Sequence, residues 1–235
     1  MPGMSKEDQS RVGQLTARPG QVQIESATGL QPLGLGAERD GFLYVPTSYS
    51  LARRAPLVVA FHGAGSNAQH GLRALQGIAE RDGIILVIPD SRRKTWDVIS
   101  GGYGPDVQFV DQALALVFER YAIDPAHIAA NGFSDGASYA LSLGLANGDL
   151  FTHVLAFSPG FMAPVVMTGR PHVFITHGTQ DRVLPIDRCS RRIVPALRDG
   201  GYDVRYEEFD GPHTVPPELA QAGFEWFLGA ALQLL

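Results

Sequence analysis

One cysteine, Cys189, stands in 235 residues, so no internal disulfide can form and the composition fits a reducing compartment. Nothing beside Cys189 resembles a cysteine-hydrolase signature, and it reads as a half-buried helix residue. No apolar run approaches the roughly 18 residues of a transmembrane span. The first twenty residues are polar and lack the apolar core of a signal peptide. Positive charge is not in excess either: 19 Lys and Arg stand against 24 Asp and Glu, a net charge of −5. That balance excludes the basic face that nucleic-acid partners demand, and the short Arg92-Arg93-Lys94 run reads as a solvated loop. There is no internal repeat, low-complexity tract or dividing linker. No His/Asp/Glu cluster suggests a metal, and Gly63-Ala64-Gly65 lacks both the six-residue dinucleotide pattern and the Walker lysine. These absences lead to the expectation of a soluble cytoplasmic protein; a monomer or homodimer without metal or cofactor, acting on a small molecule, is the accompanying expectation.

What is present is apolar and ordered. Hydrophobic residues make up 45% of the chain, and a chain of this length can bury about 70–75% of its unfolded surface. Residues 1–19 read as a mobile tail and residues 20–235 as one domain. Gln21–Ser26 alternates apolar and polar, as a half-exposed strand does, and Phe42–Val45 before Pro46 reads as a second strand of that type. Five short apolar runs follow: Leu57–Phe61, Ile84–Ile88, His127–Ala130, His153–Phe157 and Val173–Thr176. Strands buried on both faces need no polar alternation, so the runs indicate a parallel sheet covered by helices. Helices are expected over Leu72–Arg81, Val107–Tyr121, Ala137–Ala146 and Cys189–Leu197. Val204–Phe209 reads as a last strand and Pro217–Leu232 as a last helix, with proline at its start. The alternation predicts an α/β fold, a doubly wound and mostly parallel sheet with helices on both faces.

Gly132-Phe133-Ser134-Asp135-Gly136 falls between a predicted buried strand and a predicted helix. A serine on so sharp a strand-to-helix turn needs close neighbours without a β-carbon, and Gly132 and Gly136 meet that need. The same turn aims the first N–H groups of the helix at a developing oxyanion. A serine becomes nucleophilic at neutral pH when a base takes its proton and an acid orients that base. In a strand–turn–helix site of this type the acid and the histidine follow in that order, on later loops. His153 and His172 begin strands, at the wrong edge, and His177 ends one too early to leave a strand for the acid. His213 follows the last strand and is the best base by position. Asp181, in the loop after a buried strand, is the favoured acid over Asp187, which is placed to start a helix. His177 is expected to fix the acid loop, and Asp203 and Asp210 to lie on the surface. The backbone N–H groups of Ala64, in the loop after the Leu57–Phe61 strand, and of Asp135 are the expected oxyanion donors, with His62 structural.

Together His62-Gly63-Ala64-Gly65, Trp96-Asp97, Gly132–Gly136, His177-Gly178 with Asp181, and Gly211-Pro212-His213 resemble the α/β-hydrolase superfamily. The likeness is narrower to its phospholipase/carboxylesterase group, which includes acyl-protein thioesterases, with polyhydroxybutyrate-depolymerase-like esterases close behind. It runs from about Gly41 to the C-terminus. The resemblance implies a Ser134–Asp181–His213 triad and two-step acyl transfer from a carboxylic ester or thioester to water. Asp135 departs from the glutamine that thioesterases of the group carry after the nucleophile, and residues 92–104 match only loosely. Two other readings fit the same residues: a peptidase or amidase using the same triad, and a non-catalytic binding protein on a hydrolase fold. Ser158–Pro171 is too short and too broken by proline and glycine for a cap. An open groove is therefore expected, walled by Trp96, Tyr103, Phe161 and Met162, taking short to medium acyl esters in solution.

Overall fold

Successive residues of a strand point to opposite faces, and in this chain both faces are apolar. The computed structural model describes residues 12–23, 26–36 and 38–229. Along β3 (Ala55–Phe61), Leu57, Val59 and Phe61 enter one core while Val58 and Ala60 enter the other. The same division holds in β4 (Ile85–Pro89) and β6 (His153–Phe157). One core is closed by α2 (Pro105–Arg120), α3 (Asp135–Ala146) and α4 (Ser190–Asp199), and the other by α1 (Ala68–Asp82) and α5 (Pro217–Phe227). The remaining strands are β1 (Gly29–Pro32), β2 (Gly41–Val45), β5 (Ile123–Phe133), β7 (His172–Gly178) and β8 (Val204–Phe209).

The eight strands lie in the order β1-β2-β4-β3-β5-β6-β7-β8. β1 and β2 join antiparallel, and β3 to β8 form the parallel body. From β3 the chain crosses through α1 to β4 on one side, and β5 lies on the other side of β3. The carboxyl ends of β3 and β5 are thus the switch point at which such sheets hold their sites. Among the described residues no helix is long and apolar enough to cross a membrane.

The expected two-faced α/β architecture holds, with two corrections near the start. No strand forms over the described part of Gln21–Ser26 (Ile24 and Glu25 lie outside the described residues); the edge strand is Gly29–Pro32 instead. The mobile-tail reading also fails over its second half. Leu15 is buried, its N–H donates to Asn147 Oδ1 at 2.7 Å, and Asn147 Nδ2 donates to the Gly13 carbonyl. Thr16 and Ala17 donate to the Asp111 carboxylate, so residues 12–19 are laid along α2 and the end of α3. Residues 1–11, and the end of the expected last helix from residue 230, lie outside the described residues.

Candidate active site

Ser134 ends the buried run of β5 and caps α3 with φ 58° and ψ −122°. A non-glycine residue held there is strained, and such strain gathers at functional turns. Its neighbours show what the turn requires. A β-carbon on Gly132 would sit 2.2 Å from the backbone of Gly136, and one on Gly136 would sit 2.0 Å from the Phe61 carbonyl oxygen. No side chain fits at either place, so both glycines are steric necessities. The Ser134 N–H donates to the Phe157 carbonyl at 3.0 Å, anchoring the elbow to β6. Ser158, the next residue, is a second strained non-glycine position, φ 51°, and is buried; the sequence carried no signal for it.

Two later loops meet above Ser134. His213 Nε2 stands 2.9 Å from Ser134 Oγ, and His213 Nδ1 stands 2.5 Å from Asp181 Oδ2. Asp181 is buried, and its other oxygen accepts the N–H groups of Val183 and Leu184, each at 2.8 Å. Burial works to raise the Asp181 pKa. The Leu184 amide, His213 and the Val183 amide outweigh it and hold the carboxyl below its ordinary value, so it is an anion at neutral pH. The loops are locked together by close backbone approach. A β-carbon on Gly178 would lie 2.4 Å from the Gly211 carbonyl oxygen, and the N–H groups of Thr179 and Gln180 donate to Phe209 and Gly211. The Phe133 ring packs on the His213 ring at 4.7 Å between centroids.

The rival residues are occupied elsewhere. Asp187 is exposed and paired with Arg191. His177 is fully buried, with Nδ1 against Ser190 Oγ at 2.7 Å and Nε2 against the Leu184 carbonyl at 2.8 Å and Asp181 Oδ2 at 3.2 Å. It braces the acid loop, and burial lowers its pKa so that it stays neutral. His62 is likewise structural. Its Nε2 accepts the Ser91 N–H at 3.0 Å, which leaves Nδ1 as the N–H facing the Gly63 carbonyl, and burial keeps the ring neutral. Cys189 is buried, beyond the half-burial expected of it, and burial pushes its thiol pKa up, away from nucleophilic use.

The loop after β3 turns at Gly65, φ 68°, while Gly63 needs no glycine: a β-carbon there would make only ordinary contacts, at 3.5 Å. The N–H groups of Gly65 and Ser66 are spent on Lys94 and Gly63 carbonyls. The N–H of Asp135 opens α3, where helix geometry supplies no acceptor. The Asp135 carboxylate accepts the Thr95 hydroxyl at 2.6 Å.

Trp96 does not wall a groove. It is fully buried, stacked on Tyr139 at 4.7 Å, and its indole N–H donates to the His62 carbonyl at 2.8 Å. It supports the loop after β3 through this hydrogen bond. Arg92 is not solvated as expected either; its guanidinium lies 3.6 Å over the Phe109 ring. Tyr103, Phe161 and Met162 are half-buried. The Tyr103 hydroxyl donates to the Ala163 carbonyl, and Ser138 and Ser142 of α3 accept the Gly160 and Ala163 N–H groups. Residues 158–171 contain no helix, so no helical cap is inserted between β6 and β7.

Known proteins share this frame. The family model described as "Putative esterase" matches residues 34–192. The "Putative esterase NocK" of Nocardia uniformis subsp. tsuyamanensis is 30% identical over 157 residues, 62% of this chain and 45% of that protein. The chain thus spans about half the length of the curated relative it matches. Among solved structures, esterase PE8 superposes with a TM-score of 0.66 at 23% identity, covering 85% of this chain and 100% of that one. The ferulic acid esterase of Anaeromyces mucronatus gives 0.62 at 19%, covering 91% and 96%. Acyl-protein thioesterase 2 of Zea mays gives 0.55 at 17%, covering 80% and 97%. At these identities the likeness is one of fold. The strained serine elbow, the lack of a helical cap between β6 and β7 and a family match over most of the sheet lead to one assignment: the chain belongs to the Putative esterase family and has the α/β-hydrolase fold.

Proposed function

We propose that the chain is a serine carboxylesterase acting on short- to medium-chain carboxylic esters, thioesters included. The observation that carries the reading is the continuous hydrogen-bonded line from Ser134 Oγ through His213 to the anionic, buried Asp181. His213 takes the Ser134 proton as Oγ attacks the ester carbonyl carbon. Asp181, fixed by two amides and braced by His177, holds the imidazole in the tautomer that accepts this proton and stabilises the imidazolium that follows. The N–H groups of Ala64 and Asp135 receive the negative charge that develops on the carbonyl oxygen. Collapse of the tetrahedral species breaks the bond to the alcohol or thiol, which leaves with the proton from His213. Water, deprotonated by His213, then attacks the acyl-Ser134 ester and releases the acid.

Tyr103, Phe161 and Met162 form one wall of the site in this reading, and the active unit is a monomer or homodimer. The test is hydrolysis of p-nitrophenyl butyrate by the wild-type chain and by Ser134→Ala. Turnover should fall by about 10⁴–10⁶ with the circular dichroism spectrum unchanged. Retention of a tenth of the activity in a folded variant would overturn the assignment.

A further inference from the structure

A cavity of about 610 Å³ lies beside the elbow, on the α1 and α5 face of the sheet. Its volume falls within the range of small-molecule sites. Ala60, Phe133 and Phe157 line it from the sheet, Ala74 and Ile78 from α1, and Ala220 from α5. Small residues leave this space open: Ala74 and Gly77 lie on the α1 wall, and a β-carbon on Gly77 would meet no atom within 4 Å. The cavity borders the site. Gly63 is part of its rim, and a β-carbon there would lie 3.5 Å from Ser134 Cβ. The Phe133 ring lines the cavity and also packs on the His213 ring.

We propose that this cavity is the acyl-chain subsite. The hydrocarbon chain of the acyl group leaves the carbonyl held at Ser134, passes Gly63 and Phe133, and lies along α1. The acyl group is the better occupant than the alcohol, because it stays bound to Ser134 through both chemical steps while the alcohol must diffuse away between them. From His70 to Arg81, both in the lining, the α1 wall runs about 16 Å at 1.5 Å per helical residue. An extended chain advances about 1.2 Å per bond, so about ten carbons fit with length to spare. The groove walled by Tyr103, Phe161 and Met162 is thereby narrowed to the leaving-group side. This proposal rests on Ser134 being the nucleophile.

The experiment is kcat/KM for p-nitrophenyl esters from acetyl to decanoyl, in the wild-type chain and in Ala74→Trp and Ala220→Trp, which plug the cavity from opposite walls. Rates are divided by the concentration of serine titrated with diisopropyl fluorophosphate. In the wild type kcat/KM should rise by up to about fourfold per methylene to octanoyl, the ratio expected for burying each one. In either variant the octanoyl-to-acetyl ratio should fall by about tenfold or more. A wild-type profile flat beyond butyryl, or folded variants with the wild-type profile, overturns the proposal. So does a dependence on alcohol length in a parallel series of alkyl acetates with no dependence on acyl length. If neither variant folds, the wild-type series decides alone. A wild-type chain that titrates no serine refutes the nucleophile reading, whereas normal titration with a flat acyl profile refutes only the subsite.

Discussion

His153 makes the stability of this fold sensitive to acid in a way that can be isolated. It opens β6 with its ring stacked between His127, 6.5 Å away, and His172, 5.2 Å away. Trp226 and Phe227 close over it edge-on at 5.1 and 5.2 Å. The flanking imidazoles face carboxylates, Asp124 at 2.7 Å and Asp203 at 2.9 Å, whereas among the described residues His153 Nδ1 meets the Thr152 hydroxyl. Burial, then the neighbouring His172 and His127, bring its pKa down to about 4. The unfolded chain, with an ordinary histidine near 6.5, binds the proton first, so stability falls as pH drops below about 6.5 and the loss is complete only below about 4. Between pH 7 and pH 4.5 this amounts to about 2 kcal/mol, or about 4–8 °C in Tm for a chain of this size. His177 and His62, also lowered by burial, titrate in the same direction, so the comparison must be with His153→Phe, which keeps the ring and removes the proton site. Urea unfolding followed by tryptophan fluorescence should show wild type losing about 2 kcal/mol more than the variant over that interval. Parallel curves would refute the buried, neutral His153.

Asp181→Asn should lower kcat by up to about 10⁴ through loss of tautomer control, while Asp187→Asn, which touches only Arg191, should leave kcat within twofold (roughly); greater damage at Asp187 would reverse the assignment of the acid. Gly136→Ala places a β-carbon 2.0 Å from the Phe61 carbonyl oxygen, so it should cost about 3 kcal/mol or more in urea unfolding; a Tm equal to wild type would show that the elbow can open. With no helical cap between β6 and β7, rates on a poorly soluble ester should show no jump above its micellar threshold, and a sharp jump there would mean that a covering segment moves.

The parallel body was legible because buried strands such as Ile84–Ile88 are apolar on both faces, a pattern that surface demands cannot disguise. The elbow was legible because Gly132 and Gly136 are steric necessities and leave a fixed spacing in the text. Asp181 and His213 could be ranked by their place after β7 and β8, since His153, His172 and Asp187 begin strands or a helix and His177 comes too early to leave a strand for the acid. Other features leave no such mark. A tryptophan in a loop reads as an exposed aromatic, and only the stack on Tyr139 and the bond to the His62 carbonyl show Trp96 to support the loop after β3 from within the core. Residues 12–19 have no periodicity, yet they are held by Asn147 and Asp111, more than ninety residues away. The cavity beside Phe133 opens where α1 carries only Ala74 and Gly77, small residues that read as no more than ordinary helix positions.

The central claim is that Ser134 is made nucleophilic by His213, and covalent labelling tests it most directly. The chain is incubated with a fluorophosphonate at pH 7.5, and its intact mass and peptide map are recorded for wild type, Ser134→Ala and His213→Ala. A single adduct should form on Ser134 in the wild type, none in Ser134→Ala, and labelling should slow by about 10³ or more in His213→Ala. An adduct on another residue, or equal labelling of the wild type and His213→Ala, would contradict the account.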